Sequence, residues 1–186
     1  MNILLVNDDG IQSPGLRTLA EVLKQAGHQV TVVAPDRERS AVGHGITTRD
    51  PLFVKEYAWE RIAAYSCSGT PADCTQLGIK SLAGSKVDLV VSGPNYGINT
   101  AGDLPYSGTV SAALEGAKMG VKSIALSAPQ EADKDTVVRV FLRLFAQIDL
   151  EKDVRQTLNI NVPALPFEEI KGVRWTNQGQ AMWLGQ

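Results

Sequence analysis

Short apolar segments alternate with amphipathic segments along most of the sequence, and this alternation restricts the possible folds more than any other feature. Five apolar runs are bounded by turn residues and are too short for typical helices, so they predict buried β-strands. They span residues 3–6, 30–33, 87–91, 124–126 and 158–162. Parallel strands need crossover connections, and the amphipathic segments between these runs can provide them.

Four amphipathic segments have the apolar spacing of helices. The first follows Ser13-Pro14, the second has Thr70 as its predicted N-cap, the third spans about 109–119, and the fourth has Val137 and Phe141 on one face. Strands and helices that alternate in this way predict an α/β fold, with a doubly wound and mostly parallel sheet of the Rossmann-like type.

Two segments interrupt the alternation within what we expect to be a single domain, residues 1–186. Residues 46–68 contain two short apolar stretches and predict a small antiparallel insertion. Residues 172–186 predict a C-terminal extension that begins as a strand and contains Trp175 and Trp183.

Composition and charge exclude several classes of partner. The 18 basic and 20 acidic residues give a net charge of -2 without a run of Lys or Arg, so no surface for a nucleic acid polymer is indicated. Cys67 and Cys74 are too few for a disulfide framework and predict buried thiols in a reducing cytoplasm. No long apolar run precedes the first aspartates, so we expect neither a secretory signal nor a membrane span.

Oxygen-rich segments follow three of the predicted strands. Asp8 and Asp9 follow the first strand, Ser40 lies after the second, and Asn95 follows the strand at 87–91. In open α/β sheets, ligands bind beyond the carboxyl ends of the strands. Carboxylate, hydroxyl and amide oxygens suit one hard divalent cation, Mg²⁺ or Mn²⁺. Each segment alone is also typical of a turn or a helix cap, but the coincidence of three favours a metal site.

A candidate phosphate site lies at Ser107, Gly108 and Thr109, where the third helix begins. Free backbone N–H groups and two hydroxyls there suit a phosphate, although Ser and Thr are also ordinary N-caps. His44 lies near Ser40 between two glycines and is a candidate phosphate contact or proton donor. Both features predict an anionic ligand beside the metal.

Two common nucleotide-binding motifs are absent from the sequence. Residues 10–15 match the first half of a P-loop, but Leu16 and Arg17 stand where Lys and Ser or Thr are required. The G-x-G-x-x-G pattern of dinucleotide-binding folds is missing after the first strand. Neither a triphosphate-handling P-loop nor a dinucleotide site is therefore predicted.

Five segments in a fixed order carry a family resemblance. They are ILLVNDDG, VVAPDRERSAVG, GTPADC, VSGPNYGINT and YSGTVSAALEGAKMG. Together they resemble the stationary-phase survival protein SurE family over the chain up to about residue 175. The resemblance implies a metal-dependent 5′-nucleotidase that hydrolyses nucleoside 5′- and 3′-monophosphates and, in some members, short polyphosphate. It also implies that Asp8, Asp9, Ser40 and Asn95 hold the metal and that residues 107–109 form the phosphate-side loop.

The same resemblance bears on assembly. Family members usually continue beyond the length of this chain into an arm that is exchanged between subunits, so residues 172–186 are expected to begin that arm in a homodimer or homotetramer. The main alternative function is a nonenzymatic module that binds metal and nucleotide without turnover. An aspartyl-phosphate phosphatase phosphorylated on Asp8 is a further alternative, but its D-x-D spacing is missing.

Overall fold

The computed structural model describes residues 1–153 and 157–179 and contains one mixed sheet. The strands are β1 (Asn2–Val6), β2 (Gln29–Pro35), β3 (Val54–Glu56), β4 (Ala63–Cys67), β5 (Leu89–Tyr96), β6 (Lys122–Ala128) and β7 (Thr157–Asn161). Their order in the sheet is β3-β4-β2-β1-β5-β6-β7. Every neighbouring pair is parallel except β3 and β4. The predicted doubly wound, mostly parallel α/β fold is confirmed.

Helices connect the parallel strands. They are α1 (Pro14–Gln25), α2 (Pro71–Leu77), α3 (Gly108–Lys118), α4 (Lys134–Phe145) and the short α5 (Leu150–Asp153). A π-helical turn at Gly78–Leu82 extends α2, and 3₁₀ turns occupy Ala101–Tyr106 and Phe167–Glu169. None of the described helices is long and apolar enough to cross a membrane.

The apolar residues of β1 alternate between two cores, one on each face of the sheet. Ile3 and Leu5 pack in the cluster that contains the apolar faces of α1 and α4. Leu4 and Val6 pack in the opposite cluster, which includes residues of α2 and α3. β1 is therefore covered on both sides, as its continuous apolar sequence predicts.

The order of the strands reverses next to β1. The chain passes from β1 to β2 and β4 on one side, and then crosses to β5 on the other side. In a parallel sheet, a crevice opens beyond the carboxyl ends of the two strands where the winding direction reverses. This crevice lies between the ends of β1 and β5, which carry Asp8, Asp9 and Asn95.

Two predictions for the middle of the chain need correction. The strand predicted at 87–91 continues to Tyr96, so Asn95 belongs to β5 and not to a loop after it. The predicted antiparallel insertion exists only as the β3–β4 pair, because β4 also pairs in parallel with β2 and belongs to the main sheet. Pairing with β2 satisfies backbone groups that a separate hairpin would leave at an edge.

The C-terminal extension also differs from the prediction. Residues 172–179 contain no strand and are exposed, with Trp175 at 68% of its full exposure. A strand needs a neighbouring strand for its backbone hydrogen bonds, and this part of the chain lies against none. Trp183 and the rest of the predicted extension lie outside the described residues.

Candidate metal and phosphate site

Asp8 lies directly beyond β1 and against the N-terminus of α3. It is only 6% exposed, and its Oδ1 accepts a hydrogen bond of 2.6 Å from the Thr109 hydroxyl. Burial raises the pKa of Asp8, although hydrogen bonds from Thr109 oppose this rise. Gly108 leaves room for the carboxylate, because a Cβ at that position would lie 2.8 Å from the Asp8 Cβ. The end of β1 and the start of α3 therefore hold Asp8 in one place.

Asp9 is a second carboxylate at the same strand end. Burial raises the pKa of Asp9 to about 6, with further contributions from the negative charges of Asp8 and Glu38 and an opposing one from Lys134. Neighbouring buried carboxylates resist ionisation, and a bound cation relieves both their repulsion and their loss of hydration. The electrostatics of this strand end therefore favour a cation.

The segment after β2 lies beside this carboxylate pair. The Arg39 N–H donates to the Asp8 carbonyl at 2.7 Å, and the exposed Ser40 hydroxyl donates to Glu38 at 2.6 Å. Glu38 is close enough to raise the pKa of both aspartates. Sequence reasoning missed Glu38 because a charged residue in an exposed loop usually indicates only solvation.

Asn95 lies near the end of β5, which is the neighbour of β1 in the sheet. Its Nδ2 donates a hydrogen bond of 2.6 Å to the Gly97 carbonyl. In the described residues its Oδ1 has no hydrogen-bond partner, so this amide oxygen remains available to a ligand. Whether Asn95 and Ser40 bind a metal stays a prediction.

The predicted phosphate segment forms the start of α3. Ser107 is its N-cap, and the Ser107 Oγ accepts a hydrogen bond of 3.1 Å from the Val110 N–H. The Thr109 hydroxyl donates to Asp8, so its proton is already used on a proposed metal ligand. The N–H of Gly108 belongs to the first helical turn and has no acceptor within the helix. We therefore expect backbone N–H groups, more than the two hydroxyls, to face an anion.

His44 lies in the loop after Ser40 and contacts α3 at a different point. Its Nε2 is 2.8 Å from Oε2 of Glu115, a carboxylate that is buried inside the protein. Gln76 of α2 donates to the other oxygen of Glu115 at 2.8 Å. Glu115 was missed because a Glu within an amphipathic helix usually faces solvent. The structure thus brings His44 to a buried carboxylate, while its contact with phosphate stays a prediction.

Thr70, which was predicted to cap the second helix, has this role in the structure. Its hydroxyl accepts a hydrogen bond from the Asp73 N–H, and the Asp73 carboxylate accepts one from the Thr70 N–H. The two residues form a capping box at the start of α2. Cys67 and Cys74 are free and buried, as predicted.

Comparison with known proteins agrees with this fold. The family model described as survival protein SurE matches residues 3–185. The chain belongs to the SurE family. It is 49% identical over 185 residues to the 5′-nucleotidase SurE of Cyanothece sp. (strain PCC 7425 / ATCC 29141), covering 96% of this chain and 68% of that protein.

Further relatives support the same membership. The chain is 46% identical over 187 residues to the 5′-nucleotidase SurE of Thermosipho africanus (strain TCF52B), covering 98% of this chain and 73% of the relative. The crystal structure of the SurE protein from Aquifex aeolicus superposes with a TM-score of 0.84 at 43% identity. That match covers 96% of this chain and 72% of the solved chain.

Membership in the SurE family implies dependence on a divalent metal, and the donors present fit one. In the described part of the chain, no group of three or more His, Cys, Asp or Glu side chains has the arrangement of a metal site. The oxygen donors at the crevice are instead two carboxylates, an amide and a hydroxyl. Such a set leaves room for water and substrate oxygens, which is the usual coordination of Mg²⁺ and Mn²⁺.

The ionised Asp9 carboxylate is expected to lower the stability of the metal-free protein at neutral pH. The pKa of Asp9 is raised from 3.8 to about 6, so its contribution to stability is present below pH 4 and is lost as the pH rises through 6. Asp9→Asn removes this loss. At pH 7, we expect the variant to be more stable than the wild type by about 1–2 kcal/mol, after allowance for solvent screening.

Urea unfolding in EDTA at pH 5, 6 and 7 measures this difference. The advantage of Asp9→Asn is expected to grow with pH across this range, since only the wild type has to ionise a carboxyl group at position 9 beside Asp8. A difference in stability that is independent of pH would contradict the raised pKa of Asp9. Added Mn²⁺ is expected to reverse the order at pH 7 by stabilising the wild type alone.

Proposed function

We infer that this chain is a 5′-nucleotidase, a metal-dependent phosphomonoesterase that releases phosphate from nucleoside 5′- and 3′-monophosphates. The observation that carries this function is a pair of adjacent carboxylates at the crevice of the sheet, the half-buried Asp9 and the buried Asp8, which packs against the N-terminus of α3. This arrangement provides a cation-binding site directly beside an anion-binding site. Metal-dependent hydrolysis of a phosphate ester uses both sites, one for the metal and one for the phosphate oxygens.

We propose that one divalent ion, Mg²⁺ or Mn²⁺, is held by Asp8, Asp9, Ser40 and Asn95. When bound, it supplies positive charge to the phosphoryl group and lowers the pKa of a coordinated water. Backbone N–H groups at Ser107, Gly108 and Thr109 are proposed to hold the phosphate oxygens that face α3. These groups are donors already fixed by the helix, so they need no rearrangement as negative charge develops.

The two aspartates have different surroundings and therefore different proposed roles. Asp8 is fixed by the Thr109 hydroxyl and is suited to hold a charge in one position. Asp9 has no such bond in the described structure, and its side chain is more exposed than that of Asp8. Asp9 is thus the better acceptor for the proton of the attacking water.

Phosphate release from a panel of nucleoside 5′- and 3′-monophosphates tests the function. Each substrate is assayed with Mg²⁺, Mn²⁺ or EDTA, and short polyphosphate is included as a further candidate substrate. Metal-dependent release is expected, and the panel ranks the nucleotides. Binding of nucleotide and metal without release would instead support the nonenzymatic binding module.

Assembly and location are proposals as well. We propose a homodimer or homotetramer in which the C-terminal extension contacts another subunit. The exposure of Val173 and Trp175, both at 68%, supports this, because large apolar side chains are usually covered. Light scattering of the purified protein gives the number of subunits. The cytoplasmic location stays a prediction from the cysteine content.

A further inference from the structure

One ring nitrogen of His44 contacts a buried carboxylate, and the other has no hydrogen-bond partner among the described residues. Nε2 lies 2.8 Å from the Glu115 carboxylate, whose side chain is 3% exposed, while the imidazole side chain is 36% exposed. Within the described residues, Nδ1 has no hydrogen-bond partner. A carboxylate that accepts from Nε2–H fixes the orientation of the ring and directs Nδ1 outward.

Glu115 is itself held on several sides. Gln76 donates to its Oε1 at 2.8 Å, and the Lys118 ammonium lies 3.7 Å from its Oε2. A buried carboxylate with fixed donors can orient a histidine, as in the pairs of a catalytic base and its orienting residue. Because Glu115 lies within α3, it gives the His44 imidazole a rigid support.

The loop that carries His44 is attached to the protein on both sides of this residue. The Gly43 N–H donates to the Tyr106 carbonyl at 3.0 Å, directly before the N-cap of α3. Thr70 donates to the Gly45 carbonyl at 2.7 Å, and Asp73 accepts hydrogen bonds from Thr47. These contacts hold the backbone of His44 beside the start of α3.

His44 and Asp8 contact the same face of α3. The Cβ position of Gly108 faces Asp8, and Glu115 contacts His44; residues seven apart lie on one side of a helix. Their separation along the axis is about 10 Å. Side chains on a helix lean towards its N-terminus, so we expect the Glu115–His44 pair to be directed towards the end of α3 that lies against Asp8.

We propose that His44 donates a proton from Nδ1 to the ester oxygen that leaves with the nucleoside, and that Glu115 is the residue that positions it. This role rests on the proposed nucleotidase function. The oxygen of water forms a bond to phosphorus, and the bond between phosphorus and the ribose oxygen breaks. The ribose oxygen keeps that electron pair and takes the His44 proton. The proton released by the water passes to Asp9 and from there to solvent, and the imidazole takes up a new proton from solvent.

The test compares two leaving groups in the same nucleoside. One substrate is adenosine 5′-monophosphate, and the other has sulfur in place of the bridging 5′ oxygen. A thiolate leaves without a proton far more readily than an alkoxide, so the sulfur ester has little need of an acid. 4-Nitrophenyl phosphate, whose leaving group is also weakly basic, serves as a second probe. His44→Gln keeps an N–H that can reach Glu115, but it cannot donate a proton.

For His44→Gln, we expect kcat on the oxygen ester to fall by about 100-fold or more, the usual contribution of a general acid. The decrease on the two probes with weakly basic leaving groups is expected to be at least ten times smaller. Glu115→Gln is expected to show the same selectivity with a smaller loss. His28→Gln is the matched control, since His28 packs on Phe145 away from the crevice.

Two results would overturn the proposal. Equal losses on the oxygen and sulfur esters would mean that His44 binds substrate or holds the loop and donates no proton. A loss below about threefold on the oxygen ester would mean that another group donates the proton. A wild type that hydrolyses none of the substrates would instead count against the nucleotidase function itself.

Discussion

Replacement of Asp8 by Asn is expected to reduce metal-dependent phosphate release by about 1,000-fold, and Asp9→Asn is expected to give a loss of similar size. The amide keeps the shape of the carboxylate but lacks the charge that holds the cation. Neither change is expected to unfold the metal-free protein, because burial already disfavours the ionised form of both carboxylates. The loss should therefore lie in catalysis and metal binding.

Melting temperatures with and without Mn²⁺ separate these effects from misfolding. Bound metal raises the melting temperature of the wild type by mass action, and this rise is expected to be absent in both variants. Asp88→Asn is the matched control, because Asp88 accepts a hydrogen bond from the Asn2 N–H at the opposite end of β1. It is expected to keep both turnover and the metal-induced shift. Undiminished turnover by a folded Asp8→Asn protein would remove Asp8 from the metal site.

The features that could be predicted from the sequence depend on neighbouring residues. The apolar run that ends at Val6 predicts a buried strand, and the polar residues after it must then lie at the sheet's ligand edge. Thr70 with Asp73 three residues later is a local capping signal, and both bonds of the capping box are present. Such patterns are complete within one turn or one strand.

The features that escaped prediction depend on contacts between distant parts of the chain. His44 and Glu115 are 71 residues apart, and Thr109 and Asp8 are 101 residues apart. No local pattern marks Glu115 as buried, since its partners come from another helix and a loop. Asn95 is predicted to lie in a loop because the apolar run ends at Val91, but β5 continues through Pro94, and its pairing with β6 is irregular there.

Gly108→Ala is expected to weaken the metal site without changing any of its ligands. The new Cβ would lie 2.8 Å from the Asp8 Cβ, which is closer than real side chains approach, and 3.0 Å from its Oδ2. β1 is paired on both sides, so Asp8 has little freedom to move and the start of α3 must shift. We expect overpacking to cost about 1–3 kcal/mol of folding stability. Displacement of Asp8 and the first-turn N–H groups is expected to lower kcat by about 100-fold.

Gly78→Ala provides a control with a similar steric change far from the metal. Its Cβ would lie 2.5 Å from the side chain of Leu4, which is inside the core on β1, the strand that precedes Asp8. This variant is expected to lose stability while its folded form keeps kcat and Mn²⁺ affinity within about threefold of the wild type. Isothermal titration with Mn²⁺ and phosphate-release assays on both variants measure the two effects. Wild-type affinity and kcat in Gly108→Ala would mean that α3 does not position Asp8. A selective loss would mean that this glycine allows the phosphate-binding end of α3 to lie directly against a metal ligand.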